Sequence, residues 1–288
     1  KTTSIKTYKY LTLVFSLLFI FEAQAQNGWT REAKGLYAQV SLSNFSSSDY
    51  YSTEGQLFNS GGTFNSKGLL FYGEYGITNR FTAVLDLPLL MFNSFNTTET
   101  VAGVGNAKLG LKYRLSKKIP ISLQVDFDIP TGNGIQLADA KEANTLGLID
   151  QINLPTSDGE FNVWTTLAVS KSFGKTFVSA FTSINFRTET FSNQLQAGIE
   201  VGHLFFDKLH LIGKLKIQEK LNSNASSPTA SFLYGEGTTF TSYGLTGIYP
   251  ISKRMKVVAS YSDFGDVLVE RRNIYGGGTV SVGVSLEY

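Results

Sequence analysis

The sequence predicts an all-β chain: a transmembrane antiparallel up-and-down β-barrel of about twelve strands, preceded by a cleaved signal peptide. Three observations carry this reading. Apolar and polar residues alternate singly along rows of nine or ten positions, longer than the roughly five or six residues of an ordinary soluble strand. The links between rows alternate between tight and long. On the apolar parity, aromatic side chains gather at the tight-link end. Composition narrows the field further. The 288 residues include 28 Gly, 22 Phe, 14 Tyr and no Cys, which excludes a disulfide framework and any thiolate nucleophile or metal site. A mean hydropathy of −0.02 leaves no room for a series of membrane helices in the body of the chain.

The first element is the segment KTTSIKTYKYLTLVFSLLFIFEAQAQ. Lys1, Lys6 and Lys9 precede an apolar stretch from Leu11 to Phe21, followed by Ala23-Gln24-Ala25. Basic, apolar and small-x-small parts in that order describe a secretory signal peptide, cleaved after Ala25. The apolar stretch falls short of the ~20 residues a spanning helix needs. Residues 1–25 are thus expected to be the signal peptide and 26–288 the barrel. Removing Lys1, Lys6, Lys9 and Glu22 from 25 basic and 23 acidic residues leaves 22 of each. A chain of zero formal charge offers no basic nucleic-acid surface.

Twelve strands follow, near 35–46, 66–76, 81–92, 103–115, 120–130, 161–173, 177–187, 193–205, 209–221, 239–250, 255–263 and 275–288. The row NAKLGLKYRL sets Ala107, Leu109, Leu111, Tyr113 and Leu115 against Lys108, Gly110, Lys112 and Arg114. In ISLQVDFDI, Ile121, Leu123, Val125, Phe127 and Ile129 oppose Ser122, Gln124, Asp126 and Asp128. The pattern returns in QLQAGIEVG and LHLIGKLKI, and ends in TVSVGVSLEY, where Val280, Val282, Val284, Leu286 and Tyr288 share one parity. Parity is blurred by Thr and Ser in the sixth, seventh, tenth and eleventh strands.

Tight turns are expected at 77–80, 116–119, 173–176, 206–208 and 250–254, and long polar loops near 47–65, 131–160 and 222–238. Turns at one end and long loops at the other describe a bacterial outer-membrane barrel, with the turns periplasmic and the loops extracellular. The apolar parity then faces lipid, and Tyr75, Phe81, Tyr113, Tyr249 and Tyr288 form a periplasmic aromatic girdle. A secreted β-sandwich would bury the same rows, but it predicts neither such long strands nor loops on one side only.

Residues 103–134, GVGNAKLGLKYRLSKKIPISLQVDFDIPTGNG, resemble the core of the meta-pathway phenol-degradation family of outer-membrane proteins. In that family a Gly-Asp/Asn strand ending in Lys-Tyr-Arg leads through a hairpin to a strand ending in Pro-Thr-Gly. YGITNRFTAVLDLPL at 75–89 fits the preceding hairpin, and the final VGVSLEY resembles the C-terminal signal read by the barrel-insertion machinery. The resemblance implies an outer-membrane transporter of aromatic or other hydrophobic compounds, with lipid and the insertion machinery as partners. Related fatty-acid-type channels carry a long N-terminal hatch; residues 26–34 are too few for one, so a plugged lumen is not expected.

The inward parity holds Glu74, Asp86, Lys108, Lys112, Arg114, Gln124, Asp126, Asp128, Glu200, Lys214, Lys216 and Glu287, five bases against six acids. Folding the hairpins sets Lys108 opposite Asp128, Lys112 opposite Gln124 and Glu200 opposite Lys214. Two readings follow from this set: a ladder of ion pairs bracing the lumen, or a polar channel lining with no strong ion preference. No cofactor or metal site is expected, because no His, Cys or Asp cluster has ligand spacing. Catalysis has no support: His203 and His210 flank one turn, with His203 on the lipid parity. The glycines of GVGNAKLG precede no helix and so form no phosphate loop. The expected function is a passive channel for small solutes, hydrophobic or aromatic ones among them. A non-conducting barrel that presents its loops to partners is the alternative.

Overall fold

The structure is a computed structural model that describes residues 26–188, 191–221 and 237–288. The expected signal peptide and nearly all of the expected 222–238 loop lie outside the described residues. Among the described residues sixteen strands occur in chain order. The first six are β1 (Leu36–Tyr51), β2 (Leu57–Gly76), β3 (Phe81–Phe95), β4 (Val101–Gly103), β5 (Ala107–Arg114) and β6 (Ile121–Ile129). A short hairpin, β7 (Leu137–Asp139) with β8 (Gln151–Asn153), stands apart from the main sheet. Then come β9 (Asn162–Phe173), β10 (Thr176–Arg187), β11 (Gln194–Phe205) and β12 (Leu209–Lys220). The last four are β13 (Phe240–Pro250), β14 (Met255–Gly265), β15 (Ile274–Gly276) and β16 (Thr279–Glu287).

Each strand pairs antiparallel with its neighbour, and β1 pairs with both β2 and β16, so the sheet closes on itself. Because β4 and β5 share one wall position beside β3, and β15 and β16 share another beside β1, the wall has twelve strands. Closure leaves no unpaired edge, which is the condition for a sheet to cross lipid.

Which face is covered decides the solvent. On β1, Ser41 is 3% exposed while its neighbour Leu42 is 66% exposed. Opposite Leu42 on β16, Val282 is also exposed. The same inversion recurs on β5, where Lys112 is buried and Leu109 and Leu111 are exposed. A water-soluble fold would do the reverse; an apolar exterior around a polar interior belongs to a transmembrane barrel. The sandwich alternative fails on this point.

The strands depart from the sequence expectation where the physical setting changes. The expected 47–65 loop is mostly strand: β1 and β2 pair on to Tyr51 and Leu57, past a register shift between Ser47 and Asp49. This hairpin rises beyond the lipid belt, so its alternation lapses and its sequence reads as loop. The expected 131–160 loop contains the β7–β8 hairpin. A strand over 103–115 is interrupted at 104–106, where β3 carries Pro88 and a register shift follows against Leu69 and Leu70. Proline cannot donate to a ladder, and the shift leaves both Leu89 and Leu90 facing outward and exposed. The final expected strand is likewise broken at Gly277–Gly278.

Leu42→Arg, on the lipid face near mid-depth, should destabilise the barrel by about 2–4 kcal/mol. Ser43→Arg, one residue along and facing the interior, should cost far less. Reversible denaturant unfolding in lipid vesicles measures both.

Candidate functional site

The polar interior is the site, and its floor comes from outside the barrel wall. Residues 26–35 turn into the turn-side end of the lumen, contrary to the expectation of an unplugged bore. Backbone contacts seat them on several strands. Gly28 N–H donates to Ser170 Oγ (2.8 Å), and Ser122 Oγ donates to the Asn27 carbonyl (3.0 Å). Arg31 N–H donates to Thr82 Oγ1 (2.8 Å), and Lys34 N–H donates to the Gly76 carbonyl (2.7 Å). Trp29 meets Phe177 edge-on at 5.7 Å. Position 28 must be glycine, because a Cβ there would lie 2.1 Å from the Pro120 carbonyl oxygen.

Arg31 is the pin. Tyr37 on β1 pairs in register with Glu74 of β2 on one side and Glu287 of β16 on the other. The Arg31 guanidinium lies 4.9 Å above the Tyr37 ring and bridges both carboxylates, Nε to Glu74 at 2.8 Å and Nη1 to Glu287 at 2.5 Å. Lys112 approaches Glu74 at 3.3 Å, Tyr72 donates to Glu74 at 2.7 Å, and Lys256 meets Glu287 at 2.5 Å. Two carboxylates thus serve three cations in a buried network that spans the seam between the first and last strands. Burial alone would lower the Arg31 pKa, but the charges of Glu74 and Glu287 hold it above its ordinary value.

Above this floor lies a chamber of about 580 Å³. Gln26 of the N-terminal segment and Phe45 of β1 both line it, so it runs from the floor toward the loop end. Its two sides differ. Strands β13, β14, β16, β1 and β2 contribute a wall of hydroxyls, among them Ser41, Ser43, Ser242, Ser260 and Ser281. Facing them are Asp86, Lys108, Gln124, Asp126, Glu200, Lys214 and Lys216. Phe45, Leu70, Phe181 and Val258 set apolar islands among the polar groups.

Of the twelve inward residues read from the sequence, these seven line the chamber. Glu74, Lys112 and Glu287 belong to the floor network, and Arg114 reaches the Asn79 carbonyl at the 77–80 turn. Asp128 lies in register with Lys108, as expected, but among the described residues no ion pair forms between them within 4 Å. The Lys108 ammonium instead lies 5.4 Å from the Trp164 ring centre, and Lys216 sits equally far over Phe240. Lys112 stands opposite Gln124, as expected, yet its charge crosses β3 to Glu74. Glu200 and Lys214 are in register and paired at 3.4 Å. The expected ladder therefore reduces to one rung, because long side chains in a curved wall reach past their nearest neighbours. The five girdle aromatics all lie at the short-turn end, with Phe81 and Tyr113 in contact at 4.7 Å between ring centres.

At the loop end, Phe64 contacts Tyr275, Phe95 and Phe45 at 4.9, 5.5 and 6.1 Å between ring centres. Ala138 and Leu154, from the β7–β8 region, are buried against this cluster. Asp158 ties the same region to the wall, accepting from Asn106 (2.6 Å), Asn162 (3.0 Å) and Arg187 (2.9 Å). In the 266–271 loop, hydrogen bonds from Arg271 hold the Asp266 carboxyl below its ordinary pKa, while the Arg271 guanidinium covers the Tyr51 ring at 4.0 Å.

His203 faces outward against Thr176 (2.7 Å), whereas His210 lies on the opposite face of the wall. Among the described residues, no group of three or more acidic or histidine side chains could hold a metal ion.

This is the fold and interior of an outer-membrane β-barrel. No family model and no curated relative matches the sequence. Solved structures match the fold. An outer-membrane channel from Pseudomonas putida F1 superposes with a TM-score of 0.62 at 15% identity, covering 93% of this chain and 100% of that one. The translocator domain of the autotransporter NalP from Neisseria meningitidis gives 0.56 at 12% identity, over 99% of this chain and 95% of that one.

Arg31→Ala leaves both carboxylates with only one cation each. It should loosen the seated segment by about 3 kcal/mol, the lower end for breaking a buried pair. Amide exchange across residues 27–34 should then accelerate on the order of a hundredfold, with Arg31→Lys in between.

Proposed function

We propose that the chain is a passive outer-membrane channel for small solutes, narrowed at the periplasmic end by residues 26–35. One observation carries the reading: a chamber of about 580 Å³ runs inside a closed transmembrane wall and is lined by polar side chains from most of its strands. Bracing alone does not require such a space. Its volume suits a solute of one or two rings. Hydroxyls and charges interspersed with apolar islands suit a solute that is itself two-faced, such as an aromatic ring bearing a polar group. The resemblance of residues 103–134 to the phenol-degradation family supports the same class. With Lys108, Lys214 and Lys216 against Asp86, Asp126 and Glu200, the lining favours neither cations nor anions strongly. On this reading residues 1–25 are the cleaved export signal and β16 is the strand offered to the insertion machinery.

The non-conducting alternative draws on one feature, the crowding of both ends by the seated segment and the aromatic cluster. Planar-bilayer recording separates the two. The channel reading predicts small, weakly selective conductance that rises several-fold when residues 26–35 are deleted. Neutralising Lys108 and Lys216 should shift ion preference toward cations. Silence from both the full chain and the deletion, with folded barrel confirmed by heat-modifiable mobility, would leave the scaffold reading standing.

A further inference from the structure

The short-turn rim of the barrel has a composition that neither the lumen nor the girdle requires. Each of its five turns presents an exposed apolar side chain beside an exposed cation. The first pairs Ile77 with Arg80; the second pairs Leu115 and Ile119 with Lys117 and Lys118. Phe173 accompanies Lys175, Phe206 accompanies Lys208, and Ile251 accompanies Lys253 and Arg254. Lys34 adds a further exposed cation where the chain leaves the seated segment. Against these eight cations the described residues of the rim expose two acidic side chains, Glu32 and Asp207, and Asp207 is already paired with Lys175.

The loop end is the reverse. Glu54, Glu99, Asp139, Glu142, Asp150, Glu219, Asp266 and Glu270 are exposed there, against the exposed cations Lys67, Lys141 and Lys220 on the described residues, with Asp266 and Glu270 paired to Arg271 and Arg272. The barrel therefore has a basic end and an acidic end, although its described strands carry nearly balanced charge.

One turn shows how firmly the pairing of apolar tip and cation is built. Phe206 and Asp207 both take left-handed backbone conformations, at φ 51° and 56°, and Lys208 N–H closes the turn on the Phe205 carbonyl (3.0 Å). Asn, Asp and Gly suit such positions, whereas a bulky aromatic does not. The first left-handed position nevertheless holds phenylalanine, 87% exposed at the outermost point of the turn.

We propose that this rim binds anionic phospholipid headgroups of the periplasmic leaflet, its cations on the phosphates and its apolar tips in the acyl boundary. The cations are spread over all five turns rather than gathered on one side. A lipid leaflet meets a barrel all the way round, whereas an acidic protein would touch one sector. Phosphate alone explains the cations but leaves the apolar tips unused; a headgroup with its chains uses both. Arg254 over the Tyr288 ring (4.1 Å) and Arg80 against the Tyr113 hydroxyl (3.4 Å) place cations directly beside girdle aromatics, at headgroup depth. The proposal is independent of whether the lumen conducts.

Native mass spectrometry of the full folded chain tests it, with phosphatidylglycerol and phosphatidylcholine of identical acyl chains offered together. Phosphatidylglycerol should be retained several-fold over phosphatidylcholine. Replacing Lys117, Lys118, Lys208 and Lys253 with Gln should bring that several-fold preference down to near parity, and Lys141→Gln with Lys220→Gln should leave it intact. Phe206→Ser should weaken retention of both lipids without changing their ratio. If the fourfold variant does not fold, Lys117→Gln and Lys208→Gln singly should each lower the preference. Equal retention of the two lipids by the unaltered chain would overturn the proposal and favour an acidic protein as the partner of this rim. An undiminished preference in the folded variants, or full displacement of lipid by inorganic phosphate, would overturn it as well.

Discussion

The guanidinium of Arg31, held between Glu74 and Glu287, is the contact on which the rest of the interior depends. It joins β2 to β16 across β1, the seam at which the first and last strands close the barrel. It also carries residues 26–35 into the lumen, and those residues form the floor of the chamber. Charges buried this deeply are costly unless each finds partners. Lys112, Tyr72 and Lys256 supply them on the wall side, so the network is closed only when the segment is seated. Floor, seam and chamber thus share one electrostatic solution.

Strand parity was legible because lipid is a stringent selector: every second side chain from Val280 to Leu286 must be apolar, and no charge breaks the row. Register was legible wherever a tight turn fixed it, as for Lys108 with Asp128 and Glu200 with Lys214. Where water replaces lipid, the constraint lapses. The hairpin over 47–65 pairs through its backbone while its side chains are free to be Ser, Asn and Tyr, so nothing in the row marks it as strand. The interruption at 104–106 is set by Pro88 on the adjacent strand, a relation between strands that no single row displays.

The seated segment was hidden for a different reason. Residues 26–35 have no periodicity, because they adopt no regular structure and bond to five separate strands. One faint mark points to them: Trp29 and Arg31 stand two residues apart in the short stretch between the expected signal peptide and the first strand. Side-chain reach was equally illegible: Lys112 bypasses its neighbour Gln124 for Glu74, and Lys108 settles over an indole, choices governed by wall curvature and by what else occupies the lumen.

Since the chain contains no cysteine, a single thiol can report directly on the seated segment. Asn27, 6% exposed beneath the wall, is the position to use, with Asn27→Cys treated in folded membranes with a small water-soluble thiol reagent. The account predicts slow labelling in the otherwise unaltered chain and rapid labelling once Arg31→Ala is added. Equally rapid labelling in both would mean that residues 26–35 are not held in the lumen by Arg31, and would contradict the account at its centre.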